Sequence, residues 1–221
     1  MRIEYNAQLT QMHEDLVAMG NLCESVIALA ARSLKEQDAG ILRDIAKTDA
    51  KIDRAERDIE SQCLRLLLRQ QPVARDLRNI SAAIKMISDM ERIGDQAADI
   101  AELSPYIVGK APQSSLRIYD MARAAVHMVT NSVDAFIHAD LQMAQAVMAE
   151  DDEVDALFEE IKEELMNLIR NNGIDAKVSL DVLMAAKYFE RIGDHAVNIA
   201  EWVEYSITGE HRSSEHHIEL P

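Results

Sequence analysis

The pentapeptide Glu-Arg-Ile-Gly-Asp occurs twice, at Glu91–Asp95 and at Glu190–Asp194. Each copy opens a twelve-residue stretch, 91–102 and 190–201, in which nine positions are identical, so the chain is an internal duplication. Both stretches read as helix, where residues four apart are neighbours; Glu91 and Asp95 share one face, as do Glu190 and Asp194. Paired carboxylates can bind a cation, share a proton or pair with arginine, and their place relative to the core narrows the choice. Upstream of the first copy, Val73, Leu77, Ile80, Ile84 and Ile87 recur in alternating steps of four and three. The next steps land on Glu91, Gly94, Ala98 and Ala101, with Asp95 and Asp99 following Glu91 at four-residue spacing. In the second copy Leu183, Ala186, Glu190, Gly193, Val197 and Ala200 do the same. A bare carboxylate in line with an apolar stripe is costly to desolvate unless a partner, a proton or a metal accompanies it.

A second helix in each half supplies more acids. Residues 41–69 carry the seam Ile45, Asp49, Ile52, Glu56, Ile59, Cys63 and Leu66, with Asp53 one turn beyond Asp49. Residues 141–171 carry Val147, Asp151, Val154, Phe158, Ile161, Leu165 and Leu168, with Asp155 one turn beyond Asp151. An offset of 102 residues superimposes the two patterns. The candidate cation ligands are therefore Asp49, Asp53, Glu91, Asp95 and Asp99 in the first half. In the second they are Asp151, Asp155, Glu190 and Asp194, with Asn198 where the fifth acid would stand. Packed helices lie roughly 8–10 Å apart between axes, close enough for such side chains to meet. All-oxygen donor sets suit Mg²⁺, Ca²⁺, Mn²⁺ or iron and also accept Zn²⁺, and four like charges in one place repel without a cation. Gly94 and Gly193 each cost a helix about 1 kcal/mol, which implies close backbone approach.

Catalytic alternatives find little support in the spacing. A carboxylate-bridged di-iron enzyme on a helical bundle wants Glu-x-x-His, and no histidine here has glutamate three residues before it. A zinc hydrolase wants His-Glu-x-x-His, which His13-Glu14 does not continue. His195 lies about 100° around the helix from Asp194 and reads as a supporting or surface residue. Arg92 and Arg191 read as neutralising cations within the acid clusters.

Six long helices must position these residues. The periodicity places them at 4–36, 41–69, Val73 to Leu103, 115–138, 141–171 and Asp175 to Ile207. Asp38 reads as a helix cap, the Ala139-Asp140 turn repeats it, and Asn171-Asn172-Gly173 reads as a left-handed stop. Gln71-Pro72 and Pro105 are expected to end the helices before them. Gly20, inside the first helix, reads as a close packing contact. The expected fold is all-α: two tandem three-helix bundles, 1–104 and 115–207, pseudo-twofold related, with a linker at 105–114 and a polar tail at 208–221. The tail holds His211, His216 and His217 and reads as a frayed end.

Composition agrees with this reading. In 221 residues there are only seven Gly, four Pro and few aromatics, which favours helix throughout. With 23 Lys and Arg against 39 Asp and Glu, the net charge of −16 opposes binding to nucleic acid or anionic lipid. The two cysteines, Cys23 and Cys63, lie in apolar helical patterns and read as buried thiols. The N-terminus lacks the apolar core of a signal peptide, and no apolar run is expected to reach membrane-spanning length, so a cytoplasmic location is expected.

The segment Gln70-Gln71-Pro72-Val73-Ala74-Arg75-Asp76-Leu77-Arg78, the two Glu-Arg-Ile-Gly-Asp motifs and the two-half layout together resemble the PhoU family of bacterial phosphate-uptake regulators. The resemblance spans nearly all of the chain outside the tail. It implies two three-helix bundles, a homodimer and a non-enzymatic role. It also implies multinuclear iron or zinc clusters on Glu/Asp-x-x-x-Asp motifs, which fall here on the acids named above. The partners it implies are a sensor histidine kinase and the ATPase subunit of a phosphate ABC transporter, with membrane association only through them. The phosphate-starvation response would be repressed when phosphate is plentiful. Broad acidic faces punctuated by Arg75 and Arg78 would suit such docking. The second half lacks the Gln-Gln-Pro-Val-Ala-Arg segment and carries Asn198, a departure from the family pattern that leaves room for a weaker or differently filled second site.

Overall fold

The computed structural model describes residues 2–70, 72, 74–111 and 117–210. Six helices follow one another: α1 (Arg2–Ser33), α2 (Ala39–Gln70), α3 (Ala74–Ile107), α4 (Ile118–His138), α5 (Leu141–Arg170) and α6 (Ala176–Thr208). Helices α1, α2 and α3 pack on one another, as do α4, α5 and α6, giving two tandem three-helix bundles. The bundles join through α3 against α6 and α1 against α4, and a single apolar core runs through both.

This layout explains the different compositions of the helices. The outer helices α2 and α5 bury one stripe each: Ile45, Ile52, Ile59 and Leu66 on the first, Val147, Val154, Ile161 and Leu165 on the second. The inner helices α3 and α6 pack on both their own half and the other. They bury residues around most of their circumference and use small ones, such as Ala82, Ala83, Ala97, Ala185, Ala186 and Ala196, to do so. The two run antiparallel: Arg78 near the start of α3 meets Ser206 near the end of α6, and Asp89 meets His195. Gly20 provides the close approach of α1 to α4, since a methyl group there would lie 3.3 Å from Val133.

Helix starts follow the expected caps at Asp38 and Asp140, and Asp175, expected only as a helix start, adds a third. Asp38 accepts from Gly40 N at 2.6 Å, Asp140 accepts from Gln142 N and Met143 N at 3.0 Å each, and Asp175 accepts from Lys177 N at 2.8 Å. The left-handed residue ending α5 is Asn172, at φ 53°.

Three expectations need correction. Pro105 does not end α3, which continues to Ile107. Proline cannot donate to the carbonyl of Ala101, but the Ser104 hydroxyl does so instead at 2.8 Å, and the helix survives. Part of the expected linker is therefore helix, and its residues 112–114 lie outside those described, as do Gln71, Val73 and residues 211–221 with their three histidines. Leu77, placed on the apolar seam of α3, is 47% exposed. A strict 3.5-residue repeat drifts around a 3.6-residue helix, and at this end of α3 the drift carries Leu77 out of the interface. Finally, Tyr5–Ser33 of α1 is long and apolar enough to cross a membrane by length and composition. Half of its most apolar window is buried, because α1 packs against α2, α3 and α4.

Candidate functional site

The seam of each outer helix is interrupted once by an aspartate, and each interruption faces a glycine of the neighbouring inner helix. A methyl group on Gly94 would lie 2.9 Å from Asp49 Oδ1 and 3.2 Å from Ile52 Cδ1. A methyl group on Gly193 would lie 3.4 Å from Asp151 Oδ1 and 3.5 Å from Val154 Cγ1. The helical cost of Gly94 thus makes room for the Asp49 carboxylate, whereas Gly193 lies at ordinary contact distance from Asp151. Asp49 Oδ1 and Asp151 Oδ1 are both buried without a hydrogen-bond donor, a costly state for a charged oxygen.

The other acids gather around these two along the α2–α3 and α5–α6 grooves. In the first bundle, burial raises the Asp49 pKa, and Asp53, Asp95 and Asp99 raise it further. Burial also raises that of Glu91, reinforced by Asp95, Glu56 and Asp53 and opposed by Arg92. In the second bundle, burial pushes the Asp151 carboxyl up to about 6, and Asp194, Asp155, Glu190 and Asp152 add to the shift. Asp155 and Asp194, at the rim, are raised as well, by partial desolvation first, while Lys187 opposes the shift in both. Each set is thus a neighbourhood of mutually repelling carboxylates.

The sets sit at the groove rims: Asp49, Asp53, Glu91 and Asp95 are half-buried, Asp155 and Asp194 are exposed, and Glu190 is 9% exposed. Among the described residues no three acidic, imidazole or thiol groups converge on one point, so ligation requires the side chains to close inward. The chemistry of the residues fits a hard cation. The donors are all oxygen, two of them are buried and orphaned, and the charges repel as they stand.

Two candidates lie apart from this pattern. Asn198 turns away from the α5–α6 groove and donates its amide to Asp89 Oδ1 on α3 at 3.0 Å. Asp99 lies where α3 meets α6. Burial raises its pKa, Glu102 and Asp95 add to the shift, and Arg191 of the other half opposes it. His195 is not a surface residue: its side chain is 19% exposed, and Nδ1 lies 2.9 Å from Asp89 Oδ1. Arg78, expected on a docking face, points its Nε at the Ser206 carbonyl at 3.4 Å near the end of α6, where the helix dipole favours a cation.

Sequence reasoning missed Asp89, Glu56 and Lys187. Asp89 stands two residues before the Glu91–Asp95 motif but off its face, and its pairing crosses between halves. Glu56 was legible as an acid on the α2 seam. Lys187 stands three residues before Glu190, a spacing that permits an ion pair, and its ammonium lies against both carboxylate oxygens of Glu190.

Comparison with known proteins places this geometry in context. A family model described as the PhoU domain matches residues 16–104 and again 118–203, one match per bundle. The phosphate-specific transport system accessory protein PhoU homolog of Clostridium acetobutylicum is 35% identical over 207 residues, covering 93% of this chain and 94% of that protein. The crystal structure of PhoU from Pseudomonas aeruginosa superimposes with a TM-score of 0.85 at 33% identity, covering 93% of this chain and all of that one. The phosphate transport system regulatory protein PhoU from Streptococcus pneumoniae shares the fold, with a TM-score of 0.84 at 24% identity.

Proposed function

This chain belongs to the PhoU family, and on that premise we propose that it is a non-catalytic negative regulator of phosphate uptake and of the phosphate-starvation response. It acts in the cytoplasm, as a homodimer, by contact with the ATPase subunit of a phosphate ABC transporter and with a sensor histidine kinase. It meets the membrane only through those partners. The observation that carries this reading is similarity along nearly the whole chain to proteins named as accessories of a phosphate-specific transport system. The net charge of −16 supports it, because it opposes direct binding to anionic lipid.

The carboxylate sets are its cation sites. Asp49, Asp53, Glu91 and Asp95, with Asp99 at the edge, hold iron, zinc, manganese or magnesium in the first bundle. Asp151, Asp155, Glu190 and Asp194 do so in the second. A bound cation would offset the repulsion among the acids and so tie α2 to α3 and α5 to α6. The residues themselves contribute oxygen donors, and Gly94 gives Asp49 its place.

Deleting the gene should derepress phosphate-uptake genes in phosphate-rich medium, and the purified protein should pellet with membranes that contain the transporter or the kinase. Normal repression in the deletion strain, or equal pelleting with protein-free liposomes, would overturn the regulatory reading. Asp95→Ala should lower the metal content per chain, measured by elemental analysis after purification without chelator, while helicity by circular dichroism is kept. Unchanged metal content would remove Asp95 from the site.

A further inference from the structure

The two acid sets are related by the duplication, yet they differ at two positions that meet across each groove. The 102-residue offset that pairs Asp49 with Asp151 also pairs Glu56 of α2 with Phe158 of α5. The 99-residue offset that pairs Glu91 with Glu190 also pairs Ser88 of α3 with Lys187 of α6. In each bundle the two positions meet across the groove. Ser88 Oγ lies 3.5 Å from Glu56 Oε1 in the first, and the Lys187 ammonium lies 5.5 Å from the centre of the Phe158 ring in the second. A neutral residue and an acid have thus been exchanged, as a pair, for a cation and the aromatic ring that supports it.

The exchange alters what each set of acids experiences. Glu56 adds a further half-buried carboxylate beside Glu91. Lys187 bonds Glu190, whose side chain is only 12% exposed, and also opposes the charges of Asp155 and Asp194. The first bundle has a cation of its own, but Arg92 is 62% exposed and stands off at 3.6 Å from Glu91 and 3.5 Å from Asp95, whereas Lys187 lies in direct contact with the buried Glu190. Arg191, equivalent to Arg92 in the duplication, acts on Asp99 of the other half as well as on Asp194. Asp152, where the first half has Ala50, adds one exposed acid to the second set, which only partly offsets Lys187.

We propose that the two cation sites are inequivalent: Glu56 is a further ligand of the first, and Lys187, held over Phe158, is a built-in counter-cation that a metal must displace from Glu190 to fill the second. The first bundle then loads at low cation concentration and the second only at higher concentration. This rests on the reading of the acid sets as cation sites. It gives the duplicated protein a graded response to the cation, in place of two identical sites filling together.

The test uses the full-length, chelator-treated protein and Mn²⁺ as the probe, followed by equilibrium dialysis and electron paramagnetic resonance. The wild type should show two classes of site separated by at least ~10-fold in affinity, the scale expected from moving a unit charge at a partly solvated site. Asp49→Asn should remove the tight class and Asp151→Asn the weak one. Lys187→Ser combined with Phe158→Glu should bring the weak class to the affinity of the tight one. Glu56→Phe combined with Ser88→Lys should abolish the difference from the other side. Lys187 is 45% exposed, so Lys187→Gln alone, checked for helicity, carries the same test if a double variant does not fold. Two classes of equal affinity in the wild type, or an unchanged weak class after Lys187→Gln, would overturn the inequivalence while leaving the cation sites intact. No Mn²⁺ binding that responds to Asp49→Asn or Asp151→Asn would overturn both.

Discussion

Asp49 Oδ1 sits where a side chain on Gly94 would be, 2.9 Å from the position of a methyl group, whereas Asp151 stands back to 3.4 Å from the corresponding point on Gly193. The two glycines occupy equivalent motif positions, and the structure gives them opposite tolerance. Gly193→Ala meets only ordinary contacts and should stabilise the protein by up to about 1 kcal/mol through helix propensity. Gly94→Ala must displace the Asp49 carboxylate and press on Ile52 Cδ1 at 3.2 Å, so that gain should be cancelled and cation affinity in the first bundle should fall. Urea unfolding and a Mn²⁺ titration of both variants check the pair.

Asp151 makes cation-free stability depend on pH with an unusual sign. Its carboxyl is raised from 3.8 to about 6 in the folded protein, so between those values the native state holds a proton that the unfolded chain has released. Stability from this group is therefore present below about pH 4 and is lost as pH rises through about 6. After allowance for solvent screening of a half-buried group, the loss is on the order of 1 kcal/mol. Chelator-treated protein should lose this increment of stability between pH 4 and pH 7, and Asp151→Asn should flatten that part of the profile. The check is urea unfolding across that range, wild type against variant.

Ser104 carries the end of α3 past its proline. Ser104→Ala removes the hydroxyl that serves the Ala101 carbonyl and leaves no donor from Pro105 to replace it. Ser104 and Ala101 are both buried, so the expected cost is about 1–3 kcal/mol. Thermal unfolding measures it, and amide exchange over residues 104–108 should rise if the helix frays back to Leu103.

Asp89 links the two halves. Its Oδ1 receives Asn198 Nδ2 at 3.0 Å and lies 2.9 Å from His195 Nδ1, all at the α3–α6 interface. Asp89→Ala leaves both partners without their acceptor, and a loss of about 1–3 kcal/mol is expected. Amide exchange should quicken in α3 and α6 and change little in α2 and α5. Equal change in all four would place the effect outside this interface.

Much of this molecule could be read from the order of its residues. The duplication, the six helices, the caps at Asp38 and Asp140, and the acids interrupting the apolar seams are all local patterns. A helix converts sequence spacing directly into a face, and burial then selects that face. What the sequence could not decide depends on how faces meet. The α3–α6 pairing turned Asn198 and His195 toward Asp89, more than a hundred residues away in the chain, because small residues let the inner helices pack on two sides at once. The same packing drew Arg78 to the end of α6. Helix spacing placed Glu56 and Phe158, and Ser88 and Lys187, on their faces; only the packing of α2 on α3 and of α5 on α6 set the members of each pair across a groove from one another. Periodicity specifies the angle of a side chain about its own helix axis, whereas the charge it meets belongs to a different helix whose rotation and depth are set by the packing of the core.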